Sequence, residues 1–119
     1  MGYENLQIYE KSYKSALSIY RISRKFPKEE MYAMTNQIRR AATSVPLKKA
    51  EGYSKRESQA EFKRFLLMAM GSSDDVQVLL RLAKDLGYIT DEEYTKVYAT
   101  YKEISKMLNG MLRAVKSEL

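Results

Sequence analysis

The chain has 119 residues, which suits one domain with a single hydrophobic core, predicted to span residues 1–119. It contains no cysteine and no histidine, so disulfides, thiolate or imidazole metal sites and histidine-based catalysis are excluded. The formal net charge of +6 arises entirely from residues 1–60, with 12 Lys and Arg against 6 Asp and Glu, whereas residues 61–119 carry 9 of each.

The first predicted helix runs from about Asn5 to Arg24. Its apolar residues recur at three- and four-residue steps, which is the spacing of one buried stripe. Isoleucines at positions 8, 19 and 22 fall off this stripe and hint at a second buried face. The stripe consists of Leu6, Tyr9, Tyr13, Ala16, Leu17 and Tyr20.

The second predicted helix runs from about Lys28 to Glu51, because Pro27 is tolerated at a helix start. Pro46 lies inside it, where proline removes one hydrogen bond and crowds a preceding carbonyl, so a kink is expected there. Gly52 is expected to end the helix. The predicted inward positions are Met31, Met34, Ile38, Ala41, Ala42 and Val45.

The third predicted helix begins at the capping box Ser58-Gln59-Ala60-Glu61 and runs to about Leu86, before Gly87. Its segment 65–71 is apolar on all sides, which is not expected on the surface of a monomer. We therefore predict an oligomer interface made by Leu67, Met68, Met70 and Gly71. The predicted core positions are Phe62, Phe65, Leu66, Ala69, Val76, Leu79, Leu80 and Ala83.

A second capping box, from Thr90 to Glu93, opens a fourth helix with apolar positions from Tyr94 to Val115. Short connections and few glycines or prolines favour antiparallel helices over strands. The predicted fold is all-α: an antiparallel up-and-down four-helix bundle with its second helix kinked at Pro46. No stretch resembles a membrane span or a signal peptide, so a cytoplasmic protein without a membrane partner is expected.

No motif typical of catalysis occurs in the chain. Phosphate-binding glycine loops and nucleophile elbows are missing from the sequence. The acidic pairs at 29–30 and 92–93 fall in helix first turns, where the helix dipole explains them. We therefore expect neither an enzyme, nor a metal site, nor a cofactor.

Basic residues cluster in pairs between positions 39 and 64, where 8 basic residues meet 3 acidic ones. The pattern suggests a basic collar near one end of the bundle that contacts phosphates without reading sequence. An ordinary solvated surface explains the same charges equally well. Ten tyrosines fit half-buried core positions or stacking on nucleobases. The candidate nucleic-acid-binding residues are Arg39, Arg40, Lys48, Lys49, Lys55, Arg56, Lys63 and Arg64.

A set of segments along the chain shares one known pattern: Phe26 to Tyr32, Gln37 to Ala42, Ser44 to Pro46, Ala50 to Tyr53, Glu61-Phe62, Ser72 with Val76, Leu79 and Leu80, and Leu86 to Ile89. Together they resemble the 23S rRNA intervening-sequence protein family. The resemblance implies a four-helix bundle that assembles as a ring-like homopentamer and has no established enzymatic activity. It also implies kinship with accessory proteins of diversity-generating retroelements, which bind nucleic acid and a reverse transcriptase through a basic surface.

Lys48 and Lys49 depart from the family pattern, which usually has Asn and an apolar residue there. Because two charges are not easily buried, either the kinked segment is more exposed in this protein or it meets an acidic partner, and we favour the second. Glu51 is expected to pair with Arg39 or Arg40. The leading hypothesis is a non-enzymatic, oligomeric accessory protein that binds RNA or DNA. The alternative is a protein–protein adaptor or assembly scaffold.

Overall fold

The computed structural model describes residues 2–117, with side chains as far as Val115, and contains four α-helices. They are α1 (Gly2–Ser23), α2 (Asn36–Ser54), α3 (Gln59–Asp85) and α4 (Asp91–Ser117). No strand occurs among residues 2–117, and the bundle measures 46 × 25 × 19 Å. The predicted all-α four-helix fold is confirmed.

Each helix packs against its neighbours in the chain, and α1 also packs against α4. Contacts between the helices show that consecutive helices are antiparallel. Lys49, near the end of α2, donates a hydrogen bond to Asn5 at the start of α1. Ser73 in α3 donates to the backbone carbonyl of Tyr101 in α4 at 3.1 Å. Because α1 and α3 share α2 and α4 as neighbours, they occupy diagonal positions in the bundle.

The predicted helix boundaries at α3 and α4 are confirmed by their capping contacts. The Ser58 hydroxyl accepts a hydrogen bond from the Glu61 amide at 3.2 Å. At α4 the box is reciprocal: the Glu93 amide donates to the Thr90 hydroxyl at 3.1 Å, and the Thr90 amide donates to the Glu93 carboxylate at 2.9 Å. Gly87 has a φ of +80°, the left-handed conformation that glycine adopts without strain. All eight predicted core positions of α3 are buried.

The second helix starts later than predicted. Residues Lys28–Glu30 form a 3-10 turn, and residues Met31–Thr35 form a wider π-type turn in which Ala33 leaves helical geometry, with φ −125° and ψ −105°. Regular α-helix therefore begins only at Asn36. Met31, predicted to be inward, is 46% exposed because it lies in this irregular segment. Pro46 lies inside an otherwise continuous α2, and a bend of the helix axis there stays a prediction.

The predicted buried stripe of α1 was wrong, apart from Ala16. Leu6 is 56% exposed and Leu17 is 46% exposed. Three of the buried positions are serines whose hydroxyls donate to backbone carbonyls three or four residues earlier, so these polar groups are satisfied within the helix. Small side chains also let neighbouring helices approach closely. The residues that α1 buries are Asn5, Ile8, Ser12, Ser15, Ala16, Ile19 and Ser23.

Gly52 was wrongly predicted to end the second helix, which continues to Ser54. Gly52 is buried and lies where α2 closely approaches α3. A Cβ atom built at Gly52 would lie 3.0 Å from the Cβ of Phe65. The residue is glycine because the two helices touch there, and not because the chain turns.

We predict that Gly52→Val lowers the free energy of unfolding by about 2 kcal/mol, since added methyl groups must push α2 away from α3. Urea denaturation measures this change. Gly110→Val in α4 is the matched control, because a Cβ at Gly110 meets nothing within 4 Å. An equal loss in both variants would contradict the packing role of Gly52.

Candidate nucleic-acid interface

The eight predicted basic residues do not form one collar. Arg39 and Arg40 lie near the start of α2, beside the C-terminal end of α1, whereas the other six lie toward the α2–α3 connection. The 16 residues between Arg39 and Lys55 correspond to about 24 Å along a helix. The prediction of a single cluster was therefore wrong, because α2 carries its two ends to opposite ends of the bundle.

Arg39 holds α1 against α2. Its Nε donates to the Ser23 hydroxyl at 2.8 Å, and its guanidinium lies 4.9 Å from the centre of the Tyr20 ring. These contacts occupy the side chain within the fold. Arg40, one position further, is exposed.

Three cations surround the ring of Phe65 at the α2–α3 end of the bundle. The charged groups of Lys48, Lys55 and Arg64 lie 5.8, 5.5 and 4.6 Å from the ring centre. This arrangement places positive charge against the negative face of an aromatic ring that is itself buried. The structure thus gathers these three predicted residues at one place.

Two of these three cations are paired with carboxylates. Lys48 Nζ lies 3.1 Å from Glu51, and Arg64 Nε lies 2.8 Å from Glu61. The hydrogen bond from Arg64 lowers the pKa of the Glu61 carboxyl below its usual value. Glu51 was expected to pair with an arginine of α2, but its closest basic neighbour is one helical turn away at Lys48, whereas Arg39 and Arg40 lie about three turns away.

The other cations at this end differ in exposure. Lys55, which forms no ion pair with a carboxylate among the described residues, and Arg56 are exposed in the connection between α2 and α3, whereas Lys63 is half-buried on the first turns of α3. Arg56 stacks on the Tyr53 ring at 4.1 Å and donates to the Tyr53 carbonyl at 2.9 Å. We refer to Lys55, Arg56, Lys63 and Arg64 together as the basic end.

The expectation that the charge of Lys49 is not buried was wrong. Its side chain is 2% exposed, its Nζ donates to Asn5 Oδ1, and it lies 5.5 Å from the centre of the Phe62 ring. Burial lowers the pKa of its ammonium from 10.5 to about 8. A sequence signal for this burial existed, since position 49 continues the buried series of α2 at three- and four-residue steps: Ile38, Ala42, Val45, Lys49 and Gly52.

A cavity of about 370 Å³ lies beside Lys49, between the first turns of α1 and the last turns of α2. The cavity was not predicted from the sequence. The residues that line it come from two helices, and the pattern of each helix alone does not show that they face each other. Its walls are formed by Gly2, Asn5, Leu6, Tyr9, Lys49, Ala50 and Tyr53.

The predicted interface on α3 is partly outward-facing. Leu67 is 45% exposed, and Met68 and Gly71 are also exposed, whereas Met70 packs against the core and does not belong to this surface. Met70 is partly buried because it lies about 100° around the helix from the exposed Gly71. The exposed apolar surface continues along the helix and is called the α3 stripe: Leu67, Met68, Gly71, Val78, Leu82 and Leu86.

A second exposed apolar surface lies on α1. Four of its five residues were predicted to be buried, so the sequence did not indicate it as a surface. Leu47 of α2, which is also exposed, adds to the apolar surface of the molecule. The α1 stripe consists of Tyr3, Leu6, Tyr13, Leu17 and Tyr20.

The described part of the chain contains neither a metal-ligand cluster nor a membrane-spanning helix. Within residues 2–115, no group of three or more acidic side chains is placed to hold a metal ion. None of the helices described is long and apolar enough to cross a bilayer.

We predict that stability rises with pH between 7.5 and 9.5, by about 2 kcal/mol. The folded chain releases the Lys49 proton near pH 8, whereas the unfolded chain holds it to about 10.5. The unfolded state therefore binds more protons in this range, and raising the pH favours the folded state. Urea denaturation at several pH values measures the slope. Lys49→Met should remove most of it, and an unchanged slope would contradict a buried ammonium.

Comparisons with known proteins agree with this architecture. The model of the family described as 23S rRNA-intervening sequence protein matches residues 4–110. A crystal structure of a protein of unknown function from the S23 ribosomal protein family of Bacteroides thetaiotaomicron superposes with a TM-score of 0.84 at 25% identity, covering 92% of this chain and 98% of that one. No curated protein matches the chain significantly. Since the family model spans nearly all of the sequence, the chain belongs to the 23S rRNA-intervening sequence protein family.

Proposed function

We propose that this protein is a non-enzymatic, self-assembling, nucleic-acid-binding accessory protein of the cytoplasm. The observation that carries the proposal is the basic end, where Lys55 and Arg56 are exposed at the tip of the bundle. The family takes its description from intervening sequences of 23S rRNA, so RNA is the first nucleic acid to test.

The geometry of the basic end favours contact with phosphates over contact with base edges. Its cations lie on a short connection and on the first turns of α3, and no helix carries them as one stripe that could enter a groove. Arg64 already forms an ion pair with Glu61, so the cations available to phosphates are mainly Lys55, Arg56 and Lys63. Binding through about three phosphates is sequence-independent and sensitive to salt.

Two unlike apolar stripes support self-assembly. The α1 stripe and the α3 stripe lie on helices that occupy diagonal positions in the bundle. When the stripe of one subunit packs on the other stripe of the next, the contact is heterologous, and repeated contacts of this kind close into a ring if the rotation permits. This supports the homopentamer that the family resemblance implies.

A ring would also strengthen weak RNA binding. Each subunit offers only a few free cations, and a single basic end of this size gives low affinity. In a cyclic assembly symmetry places all basic ends at equivalent positions, so one RNA can contact several of them at once. Linked contacts of this kind raise the overall affinity without any new interaction.

We predict that the affinity for a labelled single-stranded RNA falls with salt, with a log–log slope of about −2 for each basic end that the RNA contacts. Lys55→Glu combined with Arg56→Glu should lower the affinity by about tenfold or more and make the slope shallower by more than about 1. Fluorescence anisotropy at several salt concentrations measures both quantities.

The matched control is Lys96→Glu with Lys102→Glu, which changes the net charge equally on exposed positions of α4 away from the basic end. Equal losses in the two double variants would indicate general electrostatic attraction only. Unchanged binding in the Lys55 and Arg56 variant would exclude the basic end as the site.

We predict that light scattering gives a mass of about five times the 13.8 kDa chain, and that Leu17→Glu and Val78→Glu each yield folded, dissociated subunits. Both positions are exposed in the single chain, so a charge there does not disturb the core. A wild-type mass near 13.8 kDa would contradict assembly.

Mixing these two variants tests the arrangement of the contact. The Leu17→Glu subunit keeps its α3 stripe, and the Val78→Glu subunit keeps its α1 stripe, so a heterologous contact lets the two form a dimer. If each stripe instead paired with its own copy, each variant alone would remain a dimer through its intact stripe, and mixing would add nothing.

The second candidate function is a protein–protein adaptor or assembly scaffold that does not bind nucleic acid. The observation in its favour is the same exposed apolar area, notably Val78 at 63% exposed. Kinship with retroelement accessory proteins makes a reverse transcriptase the protein partner to test. Capture of that partner after nuclease treatment and in high salt would favour the adaptor over the nucleic-acid-binding protein.

A further inference from the structure

The cavity between α1 and α2 has the size and composition of a small-molecule site. Its volume of about 370 Å³ lies within the range of roughly 300–1,000 Å³ that is usual for ligand pockets. Leu6, Ala50 and the rings of two tyrosines supply apolar walls, and Asn5 and Lys49 supply polar groups. A mostly apolar cavity with a few polar groups is the usual composition of a site for a small organic molecule.

The charge of Lys49 lacks a carboxylate partner within the described residues. Its side chain is 2% exposed, and its contacts there are a neutral amide oxygen of Asn5 and the ring of Phe62. By contrast, the neighbouring Lys48 is more exposed and has Glu51 as an ion-pair partner. Burial of an ammonium group is costly unless an opposite charge compensates it.

We propose that this cavity binds a small organic monocarboxylate with an apolar or aromatic body, whose carboxylate accepts a hydrogen bond from the Lys49 ammonium. The single ammonium matches one negative charge, so a phosphate dianion would carry a charge that nothing in the cavity balances. The apolar body contacts Leu6, Tyr9 and Tyr53. The carboxylate lies where Lys49 needs a partner, and burial in the cavity strengthens that ion pair.

This site is separate from the basic end and does not depend on nucleic-acid binding. Lys49 and Lys48 are adjacent in sequence but point about 100° apart on the helix, so one lines the cavity and the other contacts the Phe65 ring. The α1 stripe, however, shares Leu6 with the cavity. An acidic side chain of a neighbouring copy is therefore the competing occupant that the experiment must distinguish.

Titration with phenylacetate, followed by amide chemical shifts of the full chain, tests the proposal. Phenylacetamide is the matched ligand, because it has the same shape without the charge. We expect phenylacetate to shift residues that line the cavity and to bind about tenfold or more tightly than phenylacetamide, as a charge-assisted hydrogen bond requires. Equal affinities, shifts elsewhere or no binding would overturn the proposal.

Two variants distinguish the contribution of the Lys49 charge from that of the cavity volume. Lys49→Met keeps the length and apolar character of the side chain, and it should abolish the preference for phenylacetate. Ala50→Trp keeps Lys49 and fills the cavity from an exposed position, and it should remove the binding of both ligands. Retained binding in Ala50→Trp would place the ligand outside the cavity.

Assembly is controlled with Val78→Glu, which lies on α3 and not in the cavity. Equal binding of phenylacetate to the wild type and to Val78→Glu supports a site for a free ligand. Binding to Val78→Glu alone would overturn the proposal, because it would show that a neighbouring subunit fills the cavity in the assembled protein.

Discussion

The packing of α2 between α1 and α3 decides which of its charged groups are buried and which are exposed. One face of α2 is buried through Ile38, Ala42 and Val45, and Gly52 completes it where α2 lies against Phe65 of α3. With that face fixed, Lys49 must lie inside the bundle, whereas Lys48 lies beside α3 and contacts Phe65. The rotation of a single helix thus decides which lysine is available to a partner and which is part of the core.

The surfaces available for binding are of two kinds and lie in different places. Cations are exposed at the tip of the bundle, in the short connection that follows α2. Apolar side chains are exposed along the sides, on α1 and α3. The two kinds of surface meet where Arg64 lies 3.9 Å from the sulfur of Met68, and elsewhere they are separate, so association through the sides would leave most of the tip accessible to a polyanion.

Buried polar groups recur in this core, and most are satisfied locally. Serines of α1 bond to carbonyls of their own helix, and Ser73 bonds to a carbonyl of α4. Their small size allows helices to approach closely at little cost in unsatisfied hydrogen bonds. Lys49 differs, since it is a charged group compensated by a neutral amide and an aromatic ring. It is the buried group whose environment an added anion would improve most.

The sequence by itself determined the helical class, the starts of α3 and α4, and the buried face of α3. These features follow from local rules: the capping residues Ser58 and Thr90 bond to amides three residues away, and the spacing of apolar residues from Phe62 to Ala83 repeats with the helix. The excess of positive charge in residues 1–60 was likewise evident from the sequence alone.

Only the tertiary structure decided which face of α1 is buried, where Lys49 lies and why residue 52 is glycine. In α1, leucines and tyrosines form a more apolar stripe than the isoleucines and serines that the bundle buries. A hydropathy pattern does not show that a serine hydroxyl donates a hydrogen bond to a carbonyl of its own helix. It also does not show that small residues are needed where two helix backbones approach each other. The spacing of buried residues in α2 includes position 49, but hydropathy argues against burying a lysine there. The contact of Lys49 with Asn5 and the cavity beside it join residues of α1 and α2 that are more than 40 positions apart, which no local pattern encodes.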